Sequence, residues 1–280
     1  MQDAKTFIKN ELKDYFSPDE ISSLTQLILE KEFAIPFADI LAYKFNHLSD
    51  AEMQKLGEII GKLKKSEPIQ YILGETDFFG LTFFVDTSVL IPRPETEELV
   101  QWIVETVKKE SIKILDIGTG SGCIAVTLAK KMPSAEIHAW DISKDAIEIA
   151  QKNAQKNDVE VFFLEKDILQ ESVSDEKFDI IVSNPPYVTE FEKTKMQENV
   201  LNFEPHMALF VPDNNALIFY EKIANFALTN LNRGGKLFFE INREKGKDIV
   251  RLLKAKGFKN IERKRDISGN ERMIKAEKAH

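Results

Sequence analysis

The chain has one cysteine in 280 residues, Cys123, so it cannot form an internal disulfide; this excludes a cross-linked scaffold and agrees with a reducing compartment. With no histidine near it in sequence, Cys123 reads as a small buried residue near a helix start rather than a nucleophile. The four histidines, His47, His138, His206 and His280, show no paired ligand spacing, which leaves metal catalysis without support. No apolar run approaches the ~20 residues that cross a bilayer. The opening MQDAKTFIKN lacks the basic-then-apolar layout of a signal peptide. A cytosolic protein without a membrane partner is expected.

Positive charge is also in short supply, with 38 Lys and Arg against 46 Asp and Glu, a net charge of −8. The deficit concentrates at the start: residues 1–80 hold 9 basic against 14 acidic side chains, and the remaining 200 hold 29 against 32. Because tight nucleic-acid binding draws most of its affinity from Lys and Arg on the phosphates, the acidic amino-terminal segment suits a basic protein partner better. No stable nucleic-acid complex is expected, and the chain is expected to be a monomer. No internal repeat or low-complexity run is present.

Hydrophobic residues at 43% and charged residues at 30% give an ordinary globular balance, and the length suits two domains. Residues 1–67 read as about four helices. Phe7, Ile8 and Leu12 share one helical face. Ser17-Pro18-Asp19-Glu20 caps a helix carrying Ile21, Leu24 and Ile28, and Ser49-Asp50-Ala51-Glu52 is a capping box before Met53, Leu56 and Ile60. Residues 68–92 read as a β-hairpin linker. From Tyr71 to Ile91 the period turns strand-like, with runs at Asp77 to Phe79 and Leu81 to Val85 about a turn at Gly80, and its aromatics are expected to be buried between the domains.

Residues 93–280 alternate helix and strand, the signature of a doubly wound parallel sheet. A helix is predicted from Glu97 to Lys108, with Leu99, Trp102, Ile103, Thr106 and Val107 on one side. Strands are predicted at Ile112 to Asp116, Glu136 to Asp141, Glu160 to Leu164, Phe178 to Asn184 and Lys236 to Ile241, then at Phe258 to Lys264 and Glu271 to Lys275.

Two strand ends carry the chemistry. Ile114-Leu115-Asp116-Ile117 runs into Gly118-Thr119-Gly120-Ser121-Gly122, and a helix starts at Cys123. Glycines at alternate positions let a ligand approach the backbone amides of a helix start. Asp141 ends the next strand, where a carboxylate can accept from both hydroxyls of a ribose. An adenosine-containing cofactor follows. Cysteine at 123 breaks the G-x-G-x-x-G spacing of a nicotinamide oxidoreductase, and the G-x-G-x-G spacing present is that of methyltransferases, which hold an amino acid rather than a pyrophosphate there.

The strand from Phe178 ends in Asn184-Pro185-Pro186-Tyr187. The Asn184 oxygen and the Pro185 carbonyl can each accept one hydrogen of an NH₂ group. The two prolines stiffen the loop, and Tyr187 offers a flat face to a planar amide or base. An amide nitrogen is a feeble nucleophile, so holding it ~3–3.5 Å from the methyl donor supplies much of the acceleration. Hydrogen bonds from both N–H groups favour the positive charge that grows on nitrogen.

With these residues in place the chain resembles the release factor glutamine methyltransferase family over nearly its whole length. The likeness runs through Pro68 to Gly74, Leu90 to Glu97, Asp116 to Gly122, Asn184 to Tyr187, Phe203-Glu204-Pro205, and the tail Arg265-Asp266 with Asn270 to Arg272. It implies a class I, Rossmann-like, seven-stranded S-adenosylmethionine methyltransferase domain whose last strand is antiparallel. It implies S-adenosylmethionine as cofactor, S-adenosylhomocysteine as product, and the glutamine of a Gly-Gly-Gln loop in peptide chain release factors as acceptor.

By matching position, Gly118, Thr119, Gly120, Ser121, Gly122 and Asp141 would hold the cofactor, with Asp167 and Ile168 beside the adenine. Relatives often carry tryptophan at the latter position. Asn184 would touch cofactor and acceptor, and Pro185, Pro186 and Tyr187 would complete the glutamine pocket. Arg93 has two readings, a substrate contact closing over the site and part of an ordinary helix beginning before Pro94 and its acids. Three competing functions stand beside this one. Methylation of an exocyclic adenine amine shares the tetrapeptide and finds a basic run from Lys245 to Arg265; a non-catalytic cofactor sensor would need no acceptor pocket; the oxidoreductase is opposed by Cys123.

Overall fold

A computed structural model describes residues 3–42, 44, 47–107, 111–170, 174–194 and 196–279. The chain divides into two compact units, residues 1–75 with 197–203, and residues 76–196 with 204–280.

The first unit contains α1 (Ala4–Leu12), α2 (Pro18–Phe33), α3 (Phe37–Ala42), α4 (Asp50–Leu63) and α5 (Ile69–Leu73). Ser17 and Ser49 each accept from the backbone N–H three residues on, while Glu20 and Glu52 reach back to the cap, so both capping boxes close. Ile8, Leu12, Ile21, Ile28, Leu56 and Ile60 are buried in one core, with Phe7, Leu24 and Met53 packed against it. Residues 71–73, expected to be strand-like, are instead helical. Pro68 and left-handed Gly74 (φ 73°) bracket a single turn, and Ile69 and Ile72, three apart, pack on that same core.

The second unit carries the hairpin β1 (Glu75–Phe78) and β2 (Leu81–Phe84), whose first residue, Glu75, belongs to the helical unit. Its turn places Phe79 and Gly80 at φ 53° and 76°, and the Phe79 N–H donates to Glu97 Oε1 at 2.7 Å. Phe78 and Phe83 are buried in this unit's own core, in one cluster with Leu99, Trp102 and Ile103.

Next come α6 (Pro94–Thr106), β3 (Lys113–Ile117), α7 (Cys123–Lys131), β4 (Glu136–Asp141), α8 (Lys144–Lys156), β5 (Phe162–Glu165) and β6 (Phe178–Ser183). The predicted end of the first of these at Lys108 lies outside the described residues. After β6 the chain forms β7 (Val188–Thr189), α9 (Glu190–Lys193), α10 (Glu198–Phe203, which belongs to the first unit), α11 (His206–Leu209) and β8 (Phe210–Val211), none of which the hydrophobic pattern announces. The two short strands pair in parallel. α12 (Ile218–Asn230), β9 (Leu231–Glu240), α13 (Gly246–Ala255), β10 (Lys259–Arg265) and β11 (Glu271–Glu277) complete the chain.

Seven strands form one sheet in the order β10-β11-β9-β6-β3-β4-β5, parallel except for β11, which runs antiparallel to both neighbours. Side chains alternate across it. Ile114, Ile180, Val182, Phe238 and Met273 meet α6 and α7 on one face, while Leu115, Ile181, Leu237, Phe239 and Ile274 meet α12 and α13 on the other. Trp102 of α6 meets Phe238 edge-on, ring centroids 5.5 Å apart.

β3 lies between β4 on one side and β6 on the other, so the chain reverses its direction of travel across the sheet at that strand. Ligands in open α/β sheets bind beyond the carboxyl ends at such a switch point.

Candidate active site

Three strand ends are tied together at that point. The N–H groups of Gly118 and Thr119 donate to Trp140 O, joining the loop after β3 to β4. The hydroxyl of Ser183, buried at the end of β6, donates to Ile117 O at 2.7 Å. This fixes the tetrapeptide Asn184 to Tyr187 beside the glycine loop.

A cavity of about 410 Å³ opens above these ends, and Gly118, Thr119, Gly120, Ser121, Asp141, Asp167, Ile168, Asn184, Pro185, Pro186 and Arg93 all line it. The predicted residues are therefore brought to one place, Gly122 and Tyr187 excepted. Tyr187 packs against the α12 side of the core, and burial pushes its hydroxyl pKa up.

The loop's glycines divide into two kinds. A Cβ built on Gly118 (φ 74°) or Gly120 (φ 54°) meets nothing within 4 Å, whereas one on Gly122 (φ 79°) would fall 3.0 Å from the Ala150 Cβ. Gly122 is thus required by helix packing, and the other two keep open the space that a ligand needs to reach the backbone. Asp141 accepts from Gly120 N at 2.8 Å and Ser143 N at 2.9 Å, one bond on each oxygen, leaving lone pairs for two further donors. Burial raises its pKa, against the lowering effect of those amides. This donor set and the open glycine backbone fit the ribose and amino-acid parts of an adenosyl amino-acid cofactor.

Asp116 lies beneath the loop, fully buried, accepting from Thr119 Oγ1 at 2.6 Å through one oxygen. Its other oxygen, Oδ1, has no hydrogen-bond partner among the described residues, and burial pushes the carboxyl up to about 7. Asp167 accepts from Leu169 N and Gln170 Nε2, both at 2.9 Å, which sets the turn presenting buried Ile168 to the cavity. Cys123 opens α7 at the cavity wall, and burial lifts its thiol to about 12, far from a reactive thiolate.

Arg93 places one guanidinium nitrogen 2.6 and 2.7 Å from the two oxygens of buried Glu204. Phe203-Glu204-Pro205 thereby receives a structural place, with Pro205 in the cavity wall. Two residues, Thr96 and Glu240, escaped the sequence reading. Asn184 Nδ2 donates to Thr96 Oγ1 at 3.3 Å, and Thr96 donates to Glu240 Oε2 at 2.6 Å. Glu240 ends β9 and is fully buried, which pushes its carboxyl up to about 7. The available signal for Glu240, as for Asp116, is a carboxylate inside an otherwise apolar strand.

The strand order, the glycine turn with its open backbone and the acid at the end of β4 define a class I methyltransferase. The comparisons agree with that class: residues 96–204 match the family model described as "Methyltransferase small domain", and residues 4–74 match "PrmC N-terminal domain". The chain is 48% identical to the release factor glutamine methyltransferase of Flavobacterium psychrophilum, over 97% of this chain and 96% of that one. It is 44% identical to the Bacteroides thetaiotaomicron protein of the same name, over 96% and 97%. A methyltransferase from Pyrococcus furiosus shares the fold at TM-score 0.55 and 17% identity, covering 83% of this chain and all of that one. The chain belongs to the release factor glutamine methyltransferase family.

Proposed function

We propose that this protein transfers a methyl group from S-adenosylmethionine to the side-chain amide nitrogen of the glutamine in the Gly-Gly-Gln loop of peptide chain release factors. The observation that carries this reading is that Asn184 and Pro185 line the same cavity as the open glycine loop and Asp141.

Bound there, S-adenosylmethionine supplies an electrophilic methyl group. The protein's own residues do the rest. Asp141 accepts the ribose hydroxyls, Gly118 and Gly120 admit the cofactor to the backbone, and Ile168 contributes an apolar wall for the adenine. Asn184 Oδ1 and the Pro185 carbonyl take the two N–H groups of the acceptor amide, which orients its nitrogen and favours the charge it gains. Pro186 shapes the rest of the acceptor pocket, and Tyr187 backs the tetrapeptide from the α12 side of the core. The amide nitrogen gains the methyl group as the S–CH₃ bond breaks to leave S-adenosylhomocysteine. One N–H proton, acidic only as the new N–C bond forms, leaves to solvent, so no strong base is required.

The test supplies methyl-labelled S-adenosylmethionine together with a release factor, the same factor with the loop glutamine replaced by alanine, or unmodified RNA and DNA. Label is expected in the first alone, and label confined to nucleic acid would overturn the reading. We further propose that residues 1–67 form a helical docking domain, joined by the 68–92 linker to a methyltransferase domain at 93–280. Its acidic balance suits the basic body of a release factor. Deleting it should raise KM for the folded factor far more than for a short Gly-Gly-Gln peptide, and equal effects on both would count against docking.

A further inference from the structure

We infer that Thr96 and Glu240 are positioning residues that hold the Asn184 carboxamide with its oxygen toward the acceptor amide, an inference resting on the glutamine reading above. The direction follows from counting protons. A carboxylate only accepts, so the 2.6 Å contact between Thr96 Oγ1 and Glu240 Oε2 uses the single proton of the threonine hydroxyl. Thr96 must then accept from any other neighbour. The neighbour at 3.3 Å is the Asn184 carboxamide, which therefore presents its NH₂ to Thr96 and leaves Oδ1 on the other side. An acceptor that must receive an N–H from a guest needs that orientation, and a reversed amide would set donor against donor.

A purely structural role explains this arrangement poorly. Glu240 is 1% exposed, and its side chain forms no ion pair among the described residues. Among the described residues its carboxylate oxygens receive only hydroxyls, Thr96 at 2.6 Å and Tyr187 at a long 3.5 Å, and both donors flank the acceptor tetrapeptide or belong to it. A buried carboxylate so weakly compensated destabilises a fold, and a leucine or glutamine would pack at lower cost. What the carboxylate supplies, and a leucine cannot, is a fixed hydrogen-bond direction through Thr96 to Asn184.

Charged and titratable groups surround Glu240 on every side. Arg272 faces it from β11, Arg93 and Glu95 from the start of α6, Tyr187 from the tetrapeptide and Cys123 from α7, while Tyr220 of α12 donates to its backbone carbonyl at 3.3 Å. Burial wins over Arg272 and Arg93, and the carboxyl titrates at about 7. Once protonated it can donate to Thr96, which frees the threonine proton for Asn184 Oδ1 and permits the reversed amide. Turnover should therefore fall as pH drops through that value.

The test compares Thr96→Val with Thr96→Ser in the full chain, using a Gly-Gly-Gln peptide and measuring cofactor affinity alongside turnover. Valine keeps the shape and loses the hydroxyl; serine does the reverse. If the hydroxyl sets the amide, kcat falls at least about tenfold in Thr96→Val and stays within about threefold in Thr96→Ser, with cofactor affinity near wild type in both. A packing role gives the opposite order, and that result overturns the inference. Glu240→Gln, which can still accept from Thr96, should keep turnover at neutral pH and lose the fall below it; a fall identical to wild type's overturns the inference even if Thr96→Val fails to fold. Wild-type protein inactive on glutamine would remove the functional reading and this inference with it, whereas active wild type with an unaffected Thr96→Val sinks the inference alone.

Discussion

The two edges of the central sheet treat charge in opposite ways. At the amino edge Lys113 stands 2.9 Å from Glu136 and 3.1 Å from Glu176, and His138 lies 2.7 Å from that same Glu136. Lys113 and the two acids are paired and partly open to water, while His138 is buried beside them. Hydrogen bonds from His138 and Lys113 hold Glu136 below its usual range, and the two acids keep Lys113 above its own despite burial. At the carboxyl edge Asp116 and Glu240 are fully buried, compensated mainly by hydroxyls, and pushed up to about 7. One edge lowers the free energy of its charges and the other raises it. A sheet of this kind concentrates its strain where it meets the ligand.

The contrast is sharpened most by Asn184→Ala. It should lower kcat by roughly 10²–10³, the scale of losing one preorganised partner of the developing charge. Cofactor affinity, read by calorimetry, should change far less, because Asp141 and the glycine loop remain. Unchanged turnover would mean that the carboxyl edge is merely expensive.

Glu240→Gln tests the energetics of the same edge. The folded pKa of Glu240 lies above the ordinary value, about 7 against 4.5, so the folded state keeps its proton to higher pH. The destabilisation is therefore absent below about pH 4.5 and complete above about pH 7, growing as pH rises between them. Relative to wild type, the glutamine variant should gain on the order of 3 kcal/mol across that window, measured by urea unfolding at both ends. A difference independent of pH would place an unshifted carboxyl there. Ser183→Ala, which leaves Ile117 O without its buried donor, should cost about 1–2 kcal/mol in the same assay and loosen the seam between β3 and β6.

These variants also mark how far the sequence could be read. The glycine turn, Asp141 and Asn184 to Tyr187 were legible because each lies at a strand end, where local pattern fixes position. The capping boxes at Ser17 and Ser49 were legible because their bonds close within four residues. Thr96 and Glu240 were not: they are 144 positions apart in sequence, and only the folded sheet brings them together. Residues 188–211 were missed because their helices and strands are only two to six residues long, too short for a hydrophobic period to repeat. Tyr71 to Leu73 was misread for the opposite reason, since its β-branched and aromatic content favours a strand while Pro68 and Gly74 impose one helical turn.

The smallest effect belongs to Lys113→Met, and it bears on the comparison because the other edge should be indifferent to it. Lys113 lies partly buried over the Phe178 ring, 5.6 Å from its centroid, so methionine keeps most of the packing and removes only the charge. Its partners Glu136 and Glu176 are 51% and 41% exposed, and water can take over their solvation. The expected loss is under about 1 kcal/mol, shrinking further as salt is added. Turnover should not move, because the ion pairs sit at the strand starts while Asn184 and Asp141 sit at the ends. A fall in kcat without a matching loss of stability would show that the two edges are coupled through the sheet, and the division of labour between them would fail.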